Sequence, residues 1–412
     1  MKGNTNLYFS YDSVVIQIGT PVYLIICFTC LVIPIACNSP PAPYRPTDNI
    51  ALDCGYSGNT TSGDGREWVG DMMIGSQVLY SKTIEQQPNT SIYSSAQKPP
   101  HTKDAVPYFT ARVFRSEFTY VFPVTTSGQK FIRLHFYPST YQSFDRSKAF
   151  FSVIANGFTL LRNFSASLTA DSLGLETIEK EYSINVEEED QSGGLQVNLT
   201  FTPSDDDAYA FINGIEIVSM PTNLYYTSSD DPAGFTLIGQ PDNPFRLENN
   251  MAIEMVYRFN VGGSYISPMD DTGMFRSWSP DDQDYCSNVG ALPVNLTIAL
   301  SWPRQIPNYT APALVYRSAR SMGNNKTINE GYNLTWNLPV DPGFTYMIRL
   351  HFCEFQIEVT KPTDRQFTIF IANETAEPSA DVIVWSGGNG IPFFRDYAVQ
   401  MVGTDNQKQI NL

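Results

Sequence analysis

The sequence predicts an all-β chain made of two antiparallel β-sandwich, jelly-roll-like domains in tandem. Three observations predict it. The pentapeptide IRLHF at 132–136 returns at 348–352, 216 residues later. Short apolar runs meet Asn-Gly pairs at Asn156-Gly157 and Asn213-Gly214, and Asn-Gly tolerates the positive φ of a tight hairpin turn. Charged residues are only 17% of the chain, while Tyr (23), Phe (26), Pro (28) and Gly (27) are plentiful, and no long stretch keeps a 3.6-residue period.

The repeat extends beyond the pentapeptide. Pro123-Val124 precedes the first copy and Pro339-Val340 the second at the same offset. Downstream, Ala155-Asn156 follows Phe151 as Ala372-Asn373 follows Phe367. Upstream, Arg66-x-Trp68-x-x-Asp71 matches Arg276-x-Trp278-x-x-Asp281, and Val113-Phe114-Arg115-Ser116 matches Val315-Tyr316-Arg317-Ser318. Collinear matches at nearly constant offset indicate a tandem duplication. Within each IRLHF run, Ile, Leu and Phe alternate with Arg and His, the period of a half-buried strand.

The elements follow in order. Residues 22–37 are sixteen positions without a charge and read as the core of a secretory signal, with residues 1–39 as a signal peptide or an uncleaved signal anchor. The first domain is placed at 44–222. A polar stretch with Pro and Asp, 223–250, reads as the connection, and the second domain is placed at 251–412. Gln409-Ile-Asn-Leu412 aligns with Gln196-Val-Asn-Leu199, which in the first copy is followed by the apolar run 211–218. The second copy has no counterpart, so the second domain is expected to lack its C-terminal strand, to leave an open edge and to be the less stable of the two.

Secretion is supported by nine N-x-S/T sequons: Asn59, Asn89, Asn163, Asn198, Asn295, Asn308, Asn325, Asn333 and Asn373. The net charge of -16 excludes general nucleic-acid binding, which needs clustered Lys and Arg, and favours cationic partners. Beyond the leader, three cysteines remain, and pairing Cys286 with Cys353 leaves Cys54 buried and unpaired. His101, His135 and His351 are the only histidines. The last two share a repeat position, which suggests a hydrogen bond to a neighbouring strand rather than catalysis or a zinc site. No nucleophile elbow, HExxH, phosphate loop or kinase signature is present, so the sequence points to binding with no catalytic residues, metal or cofactor. The candidate ligand contacts are Arg112 and Arg115 before the first IRLHF run, Arg146 and Lys148 after it, and the aromatics Tyr137, Tyr141 and Phe144 beside them. Arg317 and Arg320 are their second-copy counterparts. Arginine forks suit carboxylates such as those of polygalacturonate.

Asn49-Ile-Ala-Leu-Asp-Cys54-Gly55, the Arg66-x-Trp68 element, both IRLHF strands and Ala208-Tyr-Ala-Phe-Ile-Asn-Gly-Ile-Glu-Ile217 together resemble the paired malectin-like domains of plant receptor kinases of the FERONIA, ANXUR and THESEUS type. The resemblance covers almost everything after Tyr44. It implies two malectin-like sandwiches facing the cell wall, at the outer surface of the plasma membrane. It also implies partners: basic rapid-alkalinisation-factor peptides, a GPI-anchored co-receptor of the Lorelei type, and pectin or another wall polysaccharide. The membrane span and Ser/Thr kinase of the full-length family are not in this sequence. Animal malectin holds a glucose disaccharide with an aromatic doublet that corresponds here to Thr140-Tyr141 and Gln356-Ile357, broken once and absent once, which argues against that sugar. The alternative is a secreted, kinase-less carbohydrate-binding protein.

Overall fold

A computed structural model describes residues 42–72, 80, 91–101, 105–187, 194–231, 233–282, 284–287, 290–323, 325–402 and 408–412. The leader, its cysteines and Asn89 lie outside the described residues. Residues Ala42–Leu412 form one compact unit. No helix among the described residues is long and apolar enough to cross a membrane.

The first repeat contributes β1 (Asn49–Ser57), β2 (Asn59–Thr61), β3 (Glu67–Met72), β4 (Ser91–Ser95), β5 (Thr110–Phe114), β6 (Phe118–Pro123), β7 (Gly128–Phe136), β8 (Phe151–Ala155), β9 (Phe158–Phe164), β10 (Ile178–Val186), β11 (Gln196–Pro203), β12 (Ala210–Ile212) and β13 (Gly214–Ser219). The rest of the chain adds β14 (Thr236–Leu237), β15 (Ile253–Glu254), β16 (Phe259–Asn260), β17 (Ser279–Pro280), β18 (Asn337–Val340), β19 (Thr345–Phe352), β20 (Phe367–Ile371), β21 (Glu374–Ala380), β22 (Phe393–Gln400) and β23 (Lys408–Asn411). Helices are short, at Ala166–Leu173, Lys326–Asn329 and Val382–Ser386. The chain is therefore all-β.

The largest sheet runs β15-β10-β7-β13-β1-β3-β2, and a four-stranded sheet runs β6-β11-β8-β9. Their inward residues share one core. Leu52, Leu134, Ile184 and Ile215 from the first sheet and Tyr120, Val153, Leu199 and Phe201 from the second are all fully buried in it. Period-2 alternation places these residues on one face, and aromatic rings fill the interlayer space in edge and offset contacts, such as Phe114–Phe118 at 4.5 Å and Phe136–Phe211 at 5.8 Å. Pairing is mostly antiparallel, but β1–β3, β14–β22 and β16–β17 are parallel.

The β8–β9 hairpin turns at Asn156 (φ 44) and Gly157 (φ 86), as the Asn-Gly signal requires. Its partner in the second repeat, β20–β21, turns at Ala372 (φ 51) and Asn373 (φ 67), so the equivalent pair is Ala372-Asn373 and the offset is again 216. The Asn213-Gly214 pair is not a hairpin. Asn213-Gly214 carries the chain from β12, in a sheet with β5, to β13 in the large sheet. The Asn213 side chain donates to Thr110 O (2.7 Å) and the Tyr141 hydroxyl (2.8 Å), and accepts from Tyr137 N (2.7 Å). Its amide pins a strand crossover instead of making a turn.

The expected Cys286–Cys353 disulfide is absent, and Cys54 is a buried thiol. Cys286 bridges Trp336 beside the β18–β23 pair, whereas Cys353 follows β19 and packs with Trp278 and Tyr316. The two cysteines have different neighbours, so shared membership of a repeat does not bring the sulfurs together. Nor is the 223–250 stretch a loose tether. β14 lies within it and pairs with β22, while the buried Tyr226 hydroxyl donates to Ser183 O at 2.9 Å. β15, counted by sequence to the second repeat, pairs with β10 of the first.

Glycine is required at Gly55, whose φ is 82 and where a Cβ would stand 2.4 Å from Ala111 O. Gly65, with φ 94, faces open space. Gly65→Ala should lose about 1 kcal/mol, the backbone cost alone. Gly55→Ala should lose several times that, because the β1–β5 approach must also widen; equal denaturant midpoints for the two variants would refute this.

Candidate functional site

The polar face of IRLHF does not meet water. Arg133 and His135 are 1% and 5% exposed, so β7 is buried on both faces. The expectation of a half-buried strand fails because Arg66, Trp68 and Tyr108 of the first repeat, with Arg258 and Met274 of the second, cover what would be the solvent face. Arg133 Nε donates to Glu181 Oε2 (2.6 Å), its NH1 donates to Glu216 Oε2 (3.1 Å) and its NH2 donates to Met274 O (2.9 Å). Glu181 and Glu216 stand on the two flanking strands, opposite Arg133 in register. Glu216 also pairs with Arg66 and with His135 Nε2 (2.8 Å), and Glu181 with Arg258 from the second repeat. Burial alone would raise the Glu216 carboxyl; the Arg66 and Arg133 guanidiniums reverse this and hold it well below the usual carboxylate range. Glu181 is lowered for the same reason by Arg258 and Arg133. His135 thus bonds a neighbouring strand, as its repeat position suggested, and is not a catalytic base exposed in a cleft.

The second repeat rebuilds part of this arrangement. Tyr108 donates to or accepts from His135 Nδ1 at 3.0 Å, and Tyr316 meets His351 Nδ1 at 2.8 Å. Trp68 stands edge-on to His135 at 5.3 Å, and Trp278 to His351 at 5.7 Å. Arg349 pairs with Asp396 at 2.7 Å, at the register position of Glu181. Asp71 accepts from Gly55 N (2.7 Å) and from Arg112; Asp281 accepts from Gly262 N (2.8 Å) and from Arg320. The last correspondence corrects the sequence alignment. Tyr108 and Arg112 map onto Tyr316 and Arg320, an offset of 208. The Val113–Ser116 match to 315–318 is therefore out of register, and the true partner of Arg112 is Arg320.

Arg112 cannot meet a ligand, because its fork is spent on Asp71, itself 0% exposed. Tyr141 is also 0% exposed, its hydroxyl donating to Tyr137 O (2.7 Å), and Tyr137 and Phe144 are each 7% exposed. None of these rings presents a free stacking face; they close the core where the chain leaves β7. What does reach solvent is Arg115, whose guanidinium lies 4.6 Å over the Phe144 ring, and Arg146 and Lys148, paired with Asp171 (2.8 Å) and Asp207 (3.9 Å). Beside them a groove of about 470 Å³ is lined by Lys148, Phe150 and Asp205–Asp207. In the second repeat, Gln356 and Ile357 border a smaller groove of about 240 Å³ with Val294 and Asn295, and Ile357 is 82% exposed. No sequence pattern announces the apolar side chains here, since Pro293, Val294 and Ile357 sit in segments without strand alternation.

Set beside known proteins, residues 52–412 match the family model described as the malectin-like domain. The chain belongs to the malectin-like family. It is 44% identical over 375 residues to the receptor-like protein kinase FERONIA of Arabidopsis thaliana, covering 90% of this chain and 40% of that protein. It is 39% identical over 360 residues to ANXUR2 of the same plant, covering 85% of this chain and 39% of that protein. The chain thus spans about two fifths of the length of these relatives. Among solved structures, the plant receptor-like kinase FER superposes with a TM-score of 0.77 at 41% identity, over 88% of this chain and 89% of that one. FER in complex with the peptide RALF23 and LLG2 gives 0.76 at 42%, over 89% of each chain. The malectin-like match therefore runs through both repeats, to the ectodomain portion of receptor-like kinases.

One pair within the repeat differs in charge. Asp53 Oδ1 accepts from Thr110 Oγ1 (3.1 Å), and Asn260 Oδ1 accepts from Ser318 Oγ (3.0 Å) at the same place. Burial pushes the Asp53 carboxyl up to about 7, Asp71 adding to this while bonds from Thr110 and Thr60 oppose it. A raised carboxyl contributes stability below its unfolded value of about 4 and loses it as pH rises through about 7, roughly 4 kcal/mol at most. Asp53→Asn, which installs the second repeat's residue, should flatten that decline, gaining on the parent between pH 4.5 and pH 8 in denaturant unfolding. A constant difference across that range would disprove the assignment.

Proposed function

We propose that this chain is the extracellular ligand-recognition region of a receptor-like kinase, acting by binding and not by catalysis. The carrying observation is the match to the FER ectodomain along 88% of the chain. On this reading, the protein enters the secretory pathway and faces the cell wall at the plasma membrane. Glycans sit where sequon side chains face solvent, at Asn59, Asn163, Asn325, Asn333 and Asn373.

The ligand is a basic peptide of the rapid-alkalinisation-factor type, held together with a GPI-anchored co-receptor, as FER meets RALF23 and LLG2. The charge supports this. A net -16, with Asp205–Asp207 lining the larger groove, draws a cationic peptide inward and repels a pectin polyanion at long range. Of the basic residues flanking the first IRLHF strand, Arg115, Arg146 and Lys148 reach solvent as a local foothold for wall polysaccharide, and two of them already hold carboxylates of this chain.

Titration of the glycosylated protein with a basic alkalinisation-factor peptide and co-receptor tests the reading. The association rate should fall several-fold between 50 and 150 mM salt, as screening shortens the reach of the field to about 8 Å. Binding of oligogalacturonides, lost in an Arg115→Ala/Lys148→Ala variant, with no peptide binding at either salt, would instead establish the carbohydrate-binding alternative.

A further inference from the structure

The two facing sheets of the first repeat have four edges between them. Two need no further cover. The large sheet ends on one side in β15, which is only two residues long. In the four-stranded sheet, β6 is met from outside by Tyr80 O, which accepts from Val121 N (2.6 Å). The other two edges are β2 and β9. Each has one neighbouring strand, β3 and β8, and no backbone partner on its outer side among the described residues.

The register of β2 shows which of its groups are free. Gly70 N donates to Gly58 O (2.6 Å) and Ser62 N to Arg66 O (2.9 Å), so Gly58, Thr60 and Ser62 are the residues that bond to β3. Asn59 and Thr61, between them, turn their N–H and C=O outward. The seven residues of β9, Phe-Thr-Leu-Leu-Arg-Asn-Phe, hold a single charge and neither Pro nor Gly, a composition suited to pairing with another strand.

Both of these edge strands carry a sequon, and neither β6 nor β15 does. Asn59-Thr60-Thr61 is the whole of β2. Asn163-Phe164-Ser165 closes β9, and Asn163 sits where the β8–β9 register shifts, at φ 46, a left-handed conformation that Asn tolerates. Both asparagines are exposed, and neither carboxamide has a hydrogen-bond partner among the described residues. Elsewhere the sequon amide is in use: Asn295 Nδ2 donates to Phe355 O (3.0 Å) and Asn308 Nδ2 to Ala42 O (3.0 Å).

We propose that N-linked glycans at Asn59 and Asn163 block these two edges and close the first sandwich to strand addition by a second copy of the chain. The inference rests on the reading of the chain as a secreted glycoprotein and adds a role for two of its glycans. In the transfer, Asn Nδ2 attacks C1 of a lipid-pyrophosphate-linked oligosaccharide. The C1–O bond to the pyrophosphate breaks, the Nδ2–C1 bond forms and the amide gives up one proton. The attached glycan is bulky and hydrated, and it stands where the next ladder would form. At β2 it is carried by Asn59 itself, one of the two residues whose backbone faces outward. At β9 it joins the register shift and the exposed Arg162, each of which disfavours an incoming strand.

The chain is secreted from a glycosylating host as parent, as the Asn59→Gln/Asn163→Gly double variant and as an Asn325→Gln control, which loses a glycan away from these edges. Gly is used at 163 because it accepts the positive φ without strain. Glycopeptide mass spectrometry should find Asn59 and Asn163 occupied in the parent. In sedimentation equilibrium the control should match the parent, while the double variant should self-associate at least about tenfold more tightly, with added hydrogen-exchange protection confined to β2 and β9. Should the unfolding midpoint show the double variant to be destabilised, the parent trimmed by endoglycosidase to single N-acetylglucosamines takes its place, with the same outcomes required. Unoccupied Asn59 and Asn163 beside other occupied sequons would overturn the proposal and leave the secretory reading standing; no glycan at any sequon would overturn both. Occupied sites whose loss leaves association at the parent's level, equal association in the control, or protection at other strands would overturn the edge-blocking role alone.

Discussion

Arg133 is the group on which the arrangement depends. A guanidinium at 1% exposure, in an interior strand of the largest sheet, is tolerated only when each of its nitrogens is hydrogen-bonded. Glu181, Glu216 and Met274 O meet them, and each comes from a different part of the chain. Two of these partners are the adjacent strands, so strand order and register are fixed by charge as well as by the apolar face. A one-residue slip would put Lys180 or Tyr182 of β10, or Ile215 or Ile217 of β13, where the carboxylates now stand and leave Arg133 unpaired in the interior. The third partner, with Arg258 on Glu181, belongs to the second repeat, and the same network therefore joins the repeats.

Pairs of this kind are weak sources of net stability, because desolvating each ion costs several kcal/mol before attraction returns it. Their value is in selecting one arrangement. A wrong packing of the two repeats would strand Glu181 or Arg258 without a partner, at a cost of about 3–5 kcal/mol. A surface that is strongly acidic outside and ion-paired within suits a recognition module. The interior sets the relative placement of the two repeats, and the exposed acids remain available to a cationic partner.

Much of the fold was legible. IRLHF, the Arg-x-Trp-x-x-Asp element and Asn156-Gly157 fell where their patterns required, because periodicity and turn chemistry are local. What failed was what depends on the neighbour. Alternation showed that Arg133 and His135 share a face but not that Trp68, Tyr108 and Met274 cover it. Val113–Ser116 looked like a repeat match by spelling, whereas the hydrogen bonds of Tyr108 and Tyr316 to their histidines set the register at Arg112 and Arg320. Tyr141 and Arg112 carry binding chemistry in sequence, yet Asn213 and Asp71 consume their polar atoms inside the fold. Cys286 and Cys353 share a repeat, but one bridges Trp336 and the other packs beside Trp278 and Tyr316. The apolar rim around Ile357 had no sequence pattern to announce it.

That a buried ion network holds the repeats in place is most directly tested by a double-mutant cycle across the junction. Glu181→Gln, Arg258→Met and the double variant would be compared in denaturant unfolding with the parent. The account predicts that the double variant is less damaged than the two single losses added, with a coupling energy of at least about 1.5 kcal/mol. Additive losses, with coupling under about 0.5 kcal/mol, would show that Glu181 and Arg258 are merely adjacent and that the junction is held by its apolar contacts alone.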